Sequence, residues 1–160
     1  MLEQEIASAI RFILNAADNP VPYYYSVPEG FLVPSIYFPL PEIESSGDTL
    51  TSYSLTYTWF ITFFHNDTRD AQELAFKALM ALQSRKNLIP LIDETGALTE
   101  DGFRTLDPSL KAIDNAVQLT LSWNSGRPYY IGETPEPAVE LNFNIRLRTA
   151  FDNAVSQMTE

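Results

Sequence analysis

The hydrophobic pattern of residues 49–85 predicts one long β-strand followed by one amphipathic helix. In the first half, large apolar side chains alternate with mostly hydroxylated ones, and this period of two is typical of a half-buried antiparallel strand. The apolar series is Tyr53, Leu55, Tyr57, Trp59, Ile61 and Phe63. A strand that begins near Thr49 is about three times the usual length of roughly five residues. We therefore expect it to protrude beyond the core that supports it.

The second half of this stretch changes to the spacing of an α-helix after a polar turn at residues 65–68. Asp67 or Thr68 can cap the helix by accepting hydrogen bonds from its first free N–H groups. Apolar residues then recur at helical spacing, and Arg85 and Lys86 follow where cations complement the helix dipole. The apolar positions are Ala71, Leu74, Ala75, Ala78, Leu79 and Leu82. We interpret them as the side of a helix that covers one face of the sheet.

The segments before the long strand predict a helix, a proline-rich strand and a loop. Apolar residues interleaved with charged ones predict a helix over residues 2–14, which ends before Pro20. Residues 31–38 alternate loosely as a strand. Because Pro34 lacks an N–H donor, we expect this strand to be irregular or to lie at a sheet edge. Residues 39–48 predict a loop that joins it to the long strand as an extended hairpin.

The second half of the chain predicts further strands between polar segments. In order, these are a short apolar strand at residues 88–92, an acidic segment at 93–102, an irregular segment at 103–110, a strand at 116–123, a loop at 124–128, a strand at 139–147 and a tail at 149–160. Hairpin connections favour antiparallel pairing. The sequence therefore predicts one α+β domain over residues 1–160, with a mostly antiparallel β-sheet, an N-terminal helix and one central helix packed on one face, and a long protruding hairpin.

The charge distribution argues against nucleic-acid binding. The chain has a formal net charge of −11. No Lys or Arg lies between Phe12 and Thr68, and residues 87–103 also lack bases. Gripping a nucleic-acid backbone requires clustered cations, so phosphate binding is disfavoured. The acidity fits either a solvated surface or an acidic surface along which DNA passes without binding.

Cysteine content and the distribution of apolar runs exclude two further classes. The chain has no cysteine, so it forms neither a disulfide framework nor a thiolate site. Glu3 and Glu5 stand before the apolar residues that begin at Ile6, which is unlike a secretion signal. Since no apolar run reaches the thickness of a bilayer, we also expect no membrane segment.

No pattern in the chain predicts a catalytic residue, a bound cofactor or a metal ligand set. His65 is the single histidine and follows a strand, a position that is usually structural, since a general base needs a nucleophile within hydrogen-bond reach. An EF-hand loop that starts at Asp93 would require glycine where Leu98 stands and glutamate where Arg104 stands. An irregular cation site in this acidic segment stays open. Phosphate-loop and nucleophile-elbow motifs are missing, so we expect no enzyme.

Two tyrosine clusters stand in proline-rich segments, at residues 23–25 and residues 129–130. One interpretation is that they pack the ends of the sheet. The other is that they belong to a protein interface, where tyrosine buries its ring and finds a partner for its hydroxyl.

The order of elements resembles the tail terminator (tail completion) proteins of long-tailed bacteriophages and prophages. The residues that carry the resemblance are 21–38, 49–85 and 116–123: a proline- and tyrosine-rich strand, a long strand that ends in an Asn-Asp-Thr turn before an Ala/Leu helix, and a further strand. Proteins of that family are structural. They form a six-subunit ring on the head-proximal end of the finished tail tube, stop its polymerisation and provide the surface that joins the head.

The resemblance implies a set of partners and a place in the virion. The partners would be further copies of the chain in a hexameric ring, the tail tube protein and a head-completion or neck protein. DNA would pass through the lumen without specific binding, and assembly would take place in the cytoplasm of the bacterial host. Physically, long strands can extend a neighbour's sheet, and one heterologous interface repeated to closure makes a ring.

We predict that acidic residues and tyrosines make the subunit or partner contacts. They lie in residues 39–48, in residues 93–102 and in the two tyrosine clusters: Glu42, Glu44, Asp48, Asp93, Glu94, Tyr24 and Tyr129. Two alternatives stay open. One is another ring protein of the phage neck or tail tube. The other, from a different class, is a small hydrolase or ligand-binding α+β domain that uses His65 and paired carboxylates.

Overall fold

The computed structural model describes residues 3–130 of the chain. The chain divides into two compact units, Met1–Pro128 and Tyr129–Glu160, and only the first two residues of the second unit are described. The predicted final strand and tail, within residues 139–160, lie outside the described residues. The single domain therefore stays a prediction.

Two α-helices and eight β-strands make up the described part of the chain. In order they are α1 (Gln4–Ala16), β1 (Val21–Tyr24), β2 (Ser35–Phe38), β3 (Glu42–Gly47), β4 (Ser52–Phe64), α2 (Thr68–Ser84), β5 (Leu88–Ile92), β6 (Leu98–Arg104), β7 (Ser109–Ile113) and β8 (Ala116–Pro128). Six strands form one sheet with the order β1-β2-β4-β8-β7, in which β3 also pairs with β4, while β5 and β6 form a separate hairpin. Only β1 and β2, among these pairs, run parallel. The predicted α+β class with a mostly antiparallel sheet is confirmed.

The core lies between one face of the large sheet and the two helices. Buried and half-buried positions alternate along β4, as its period of two predicted, and the buried ones are Tyr57, Trp59, Ile61 and Phe63. Buried residues of β8 stand directly opposite them, so one apolar surface spans both strands. The helices bury their apolar stripes on this surface, with Ile6, Ala9, Ile10 and Ile13 from α1 and Ala71, Leu74, Ala75, Ala78 and Leu82 from α2.

The start of α2 follows the predicted cap. The Oδ1 atom of Asp67 accepts a hydrogen bond from the backbone N–H of Asp70 at 2.8 Å. Asp67 itself has an extended backbone, as an N-cap requires. The helix can therefore begin immediately after β4, which brings its apolar stripe back over the same face of the sheet.

The predicted loop at residues 39–48 is wrong, because most of it is a strand. Glu42–Gly47 forms β3, which pairs with β4 from Glu42 opposite Thr58 to Gly47 opposite Tyr53. All six residues of β3 are exposed, so the chain has no reason to alternate apolar with polar there, and the usual signal of a strand is missing. The long strand accordingly begins at Ser52 rather than near Thr49, although the predicted hairpin connection is present.

Three further boundaries differ from the prediction for the same reason. The expected loop at residues 124–128 continues β8, since pairing with β4 keeps these polar residues extended. The acidic segment at residues 93–102 contains the start of β6, and the irregular segment at residues 103–110 contains its end and the start of β7. In each case the extended backbone depends on a neighbouring strand rather than on the residues' own pattern.

The strand predicted at residues 31–38 is shorter than expected and does not lie at a sheet edge. β2 lies between β1 and β4, and β1 forms the edge. Pro34 stands just before β2, and its carbonyl oxygen accepts a hydrogen bond from the N–H of Val21 at 3.1 Å. The missing N–H of Pro34 therefore does not interrupt the ladder.

Candidate functional site

The longest strands of the sheet extend into a three-stranded arm. We use this name for β3, residues 52–58 of β4 and residues 122–128 of β8. β3 pairs with β4 alone. On the other side, β7 pairs with β8 only as far as Thr120, and an isolated bridge at Trp123 is the last contact outside β4. Among residues 3–130, both outer edges of the arm therefore lack a strand partner, and exposed edges of this kind are templates for pairing with another chain.

The two faces of the arm have different chemistry. Glu42 stands opposite Thr58, and Glu44 stands opposite Thr56, so both carboxylates share the face that points away from the helices. They are two residues apart on one strand, which spaces them by roughly 7 Å. On the same face, the hydroxyl of Thr56 donates a hydrogen bond to Asn124 Oδ1 at 2.9 Å. This face is acidic and hydroxylated.

The tip of the arm is a turn at residues 48–51. Asp48 Oδ2 accepts a hydrogen bond from the Ser52 hydroxyl at 3.0 Å, and the Thr49 and Ser52 hydroxyls lie 2.7 Å apart. Leu50 is 100% exposed at this tip. The structure thus brings Glu42, Glu44 and Asp48 together on one hairpin, as predicted from their closeness in sequence, and adds an apolar side chain that the pattern did not single out.

The base of the arm is held by the first turn of α1. The Glu5 carboxylate accepts hydrogen bonds from the indole N–H of Trp123 and from the hydroxyl of Ser125, both at 2.9 Å. Glu3 accepts from the hydroxyl of Tyr57, and its carboxylate lies 3.6 Å from the guanidinium of Arg127. Carboxylates suit the positive end of a helix, and buried indole and phenol groups need partners. The arm therefore leaves the core from a fixed base.

Burial changes the proton affinity of one member of this network. The side chain of Tyr57 is fully buried and stacks on Trp123, with ring centroids 4.7 Å apart and planes 2° from parallel. Burial, followed by the hydrogen bond to Glu3, raises the pKa of Tyr57 to about 12. Its phenol stays protonated and remains a hydrogen-bond donor.

Asp93 and Glu94 lie apart from the arm, in the turn between β5 and β6. Asp93 Oδ1 accepts hydrogen bonds from the N–H and hydroxyl of Thr95 and from the N–H of Ala97. These bonds lower the pKa of the Asp93 carboxyl, with the Thr95 hydroxyl as the largest cause. Asp93 shapes its own turn, while Glu94 is exposed. Their predicted role in partner contacts stays a prediction.

The two predicted tyrosines are both exposed. Tyr24 ends the edge strand β1, where its ring stacks on Phe38 with centroids 5.9 Å apart, and yet 42% of the residue is exposed. Burial of the remainder raises the pKa of Tyr24. Tyr24 thus combines both interpretations of its cluster, since one side packs against the sheet and the other faces solvent. Tyr129 belongs to the second unit and is also exposed.

His65 occupies a local structural position. Its Nδ1 atom accepts a hydrogen bond from the N–H of Asn66 at 2.8 Å and lies 3.6 Å from a carboxylate oxygen of Asp70. Asn66 belongs to the turn that leads into α2, and Asp70 belongs to the first turn of that helix, so the imidazole helps to hold the turn against the helix. Within residues 3–130, no three His, Asp or Glu side chains are grouped so that they could hold a metal ion.

A groove between elements brings together residues that the sequence analysis did not identify as a site. It lies between α1, the end of α2 and the β5–β6 hairpin, and has a volume of about 300 Å³. Arg11 and Arg85 line it together with Phe12 and Leu98. Arg11 and Phe12 lie on α1, Arg85 caps the end of α2 and Leu98 begins β6, so no local pattern could have brought them together.

Comparison with known proteins identifies relatives of the chain. No family model matches it. The "Phage-like element PBSX protein XkdJ" of Bacillus subtilis (strain 168) is 28% identical over 140 residues, which is 87% of this chain and 94% of that protein. The uncharacterised protein YqbJ of the same strain is 29% identical over 124 residues, which is 78% of this chain and 85% of that protein. The chain is thus related to a protein of a phage-like element.

The chain also has a weak similarity to a solved structure. A chain from the "Virion of native gene transfer agent (GTA) particle" has a TM-score of 0.49 and 13% identity, over 77% of this chain and 93% of that chain.

In the part of this chain that the structure describes, no helix is both long enough and apolar enough to cross a membrane.

Proposed function

We propose that the protein is a structural subunit of a phage-type particle and that it acts as a tail terminator. In this role it forms a six-subunit ring at the head-proximal end of the tail tube, ends the polymerisation of the tube and provides the surface that the head joins. The observation that carries the proposal is the arm, with its acidic face and its two edges that have no strand partner among residues 3–130. The similarity to a protein of the phage-like element PBSX supports the phage context.

The arm suits assembly because its two edges are different. One edge is β3 and the other is the end of β8. A strand of a neighbouring subunit that adds to either edge gains main-chain hydrogen bonds. Since the two edges are distinct surfaces, a contact between copies is heterologous. Repeating this contact closes a ring when the rotation between neighbouring copies divides a full turn evenly.

The acidity of the chain suits a channel for DNA. No Lys or Arg lies between Phe12 and Thr68, and residues 87–103 also lack bases. If surface from these segments borders the lumen or its rim, DNA phosphates meet negative charge and do not bind. DNA then passes through without being trapped, and its passage requires no specific contact.

The decisive experiment mixes the protein with its tail tube protein and follows the length of the tubes by electron microscopy. We expect tubes of limited length that carry a ring at one end, and we expect added head-completion protein to bind at that ring. Tubes that grow to the same length with and without the protein would overturn the proposal. A ring found along the tube, or at the end away from the head, would favour the alternative of another tail or neck ring protein.

A further inference from the structure

The groove between α1, α2 and the β5–β6 hairpin is lined by six apolar residues, three uncharged polar residues and two arginines. Phe12, Ala16 and Ala81 line the groove from the helices, and Pro90, Ile92 and Leu98 line it from the hairpin. Arg11 and Arg85 also line it and are both exposed. Arg85 places its guanidinium 5.9 Å from the centre of the Phe12 ring, which holds its charge at the groove.

Among residues 3–130, these two arginines have no acidic partner. The same holds for Lys86, Arg104 and Lys111, whereas Arg69, Lys77 and Arg127 each lie within 4.0 Å of a carboxylate. Lys86 and Arg104 adjoin the same end of α2, where Arg104 donates a hydrogen bond to the carbonyl oxygen of Lys86 at 3.0 Å. In a chain with ten bases and a net charge of −11, this end of α2 is a local concentration of positive charge.

The net charge limits how copies of the chain can meet. Two copies that each carry a charge of −11 repel one another unless the touching surfaces are locally complementary. Glu42 and Glu44 offer two carboxylates roughly 7 Å apart on one face of the arm. Arg11 and Arg85 offer two guanidinium groups on one groove, and guanidinium is the cation best shaped to bind a carboxylate.

We propose that the acidic face of the arm of one copy docks on the groove of the next copy, where Glu42 and Glu44 pair with Arg11 and Arg85. This docking rests on the proposed ring, since it names the contact by which one subunit holds the next. The arm and the groove are different patches of the surface, so the contact runs head to tail and has no twofold symmetry. Each copy uses its arm on one neighbour and its groove on the other.

Charge reversal on each side tests this contact. In the presence of the tube protein, we expect Arg11→Glu with Arg85→Glu to abolish rings, and Glu42→Arg with Glu44→Arg to abolish them as well. Each variant then has an arm and a groove of the same sign. Mixed in equal amounts, the two variants should assemble again, because the arm of each now matches the groove of the other.

Arg69→Glu with Lys111→Glu is the matched control, since both residues are exposed and the change in charge is the same as for the groove variant. This control should assemble normally.

An engineered disulfide provides a second and independent test. The chain has no cysteine, so any disulfide would come from introduced residues. Thr56→Cys lies on the acidic face opposite Glu44, and Ser84→Cys lines the groove. Under oxidising conditions the double variant should give covalent multimers on a denaturing gel. A control with Thr56→Cys and Ser109→Cys, whose second cysteine lies on β7 away from the groove, should stay at the size of one chain.

The outcomes separate this contact from the function on which it rests. Rings that cap tubes in every charge-reversal variant, or a disulfide pair that stays uncrosslinked within such rings, would overturn the arm-to-groove contact and leave the terminator in place. Failure of the unmodified protein to form rings or to limit tube length would overturn both. Restored assembly in the mixture, together with covalent multimers from the groove pair alone, would support the contact.

Discussion

At the scale of single residues, the best-defined feature is the set of polar groups beneath the arm. The Glu5 carboxylate accepts hydrogen bonds from Trp123 and Ser125, and the Glu3 carboxylate accepts one from Tyr57. A buried donor left without an acceptor costs about 1–3 kcal/mol, so these bonds fix where the arm leaves the core. The sequence suggested only that acids stand at the start of a helix. Their partners lie more than fifty positions away along the chain, beyond the reach of any local pattern.

The raised pKa of Tyr57 predicts a pH dependence of stability in the alkaline range. The folded protein holds the phenol proton up to a pKa of about 12, compared with an ordinary value of 10.0. Stability from the protonated form is fully present below pH 10 and is lost as the pH rises towards 12, because the unfolded chain releases its proton first. Between pH 9 and pH 11.5, we expect the free energy of unfolding to fall in both the wild type and Tyr57→Phe. The fall should be larger in the wild type by on the order of 1–3 kcal/mol.

Urea denaturation followed by circular dichroism at pH 9 and pH 11.5 measures this difference. The other seven of the eight tyrosines are present in both proteins, so comparing the two losses of stability isolates the contribution of Tyr57. Equal losses of stability in the wild type and in Tyr57→Phe would contradict the assignment.

At the scale of elements, the strands and helices that bury one side could be predicted from the sequence, and the exposed strands could not. β4 and α2 were predicted because each buries one side and exposes the other, which leaves a period of two or a helical stripe in the sequence. β3 and the end of β8 were missed because their residues are mostly exposed, and only pairing with β4 keeps them extended. The acidic positions of the arm could be found from sequence alone. The strand that carries two of them could not.

The exposure of β3 also predicts that the arm can be damaged without loss of the core. Ser45→Pro removes one N–H from the middle of β3, which either breaks its ladder with β4 or blocks its outer edge. None of the buried core residues lies on β3. We therefore expect a thermal midpoint within a few degrees of the wild type, together with loss of rings and of tube capping.

Ser45→Val is the matched control for this change, since valine keeps the donor and favours an extended strand. Differential scanning calorimetry measures the midpoint, and electron microscopy of tubes measures capping. Normal capping by Ser45→Pro would mean that β3 has no part in assembly.

At the scale of the whole molecule, two opposing effects of charge can be separated in one experiment. A net charge of −11 makes copies repel, so removing acidic residues anywhere should ease assembly if repulsion alone limited it. Replacing Glu42, Glu44 and Asp48 by lysine lowers the negative charge but also removes the predicted contact. We expect this variant to fold normally and to give a ring yield at least tenfold lower than that of the wild type. Reduced repulsion alone would instead raise the ring yield.

The same change in charge made elsewhere gives the opposite expectation. Glu29, Glu73 and Asp107 are exposed and lie outside the arm, the groove and residues 93–102, so their replacement by lysine reduces repulsion without touching the predicted contacts. Assembly of this variant should match or exceed that of the wild type when ring yield is measured by sedimentation. If both lysine variants assembled equally well, net charge would govern assembly. The position of the acids on the arm would then have no special role.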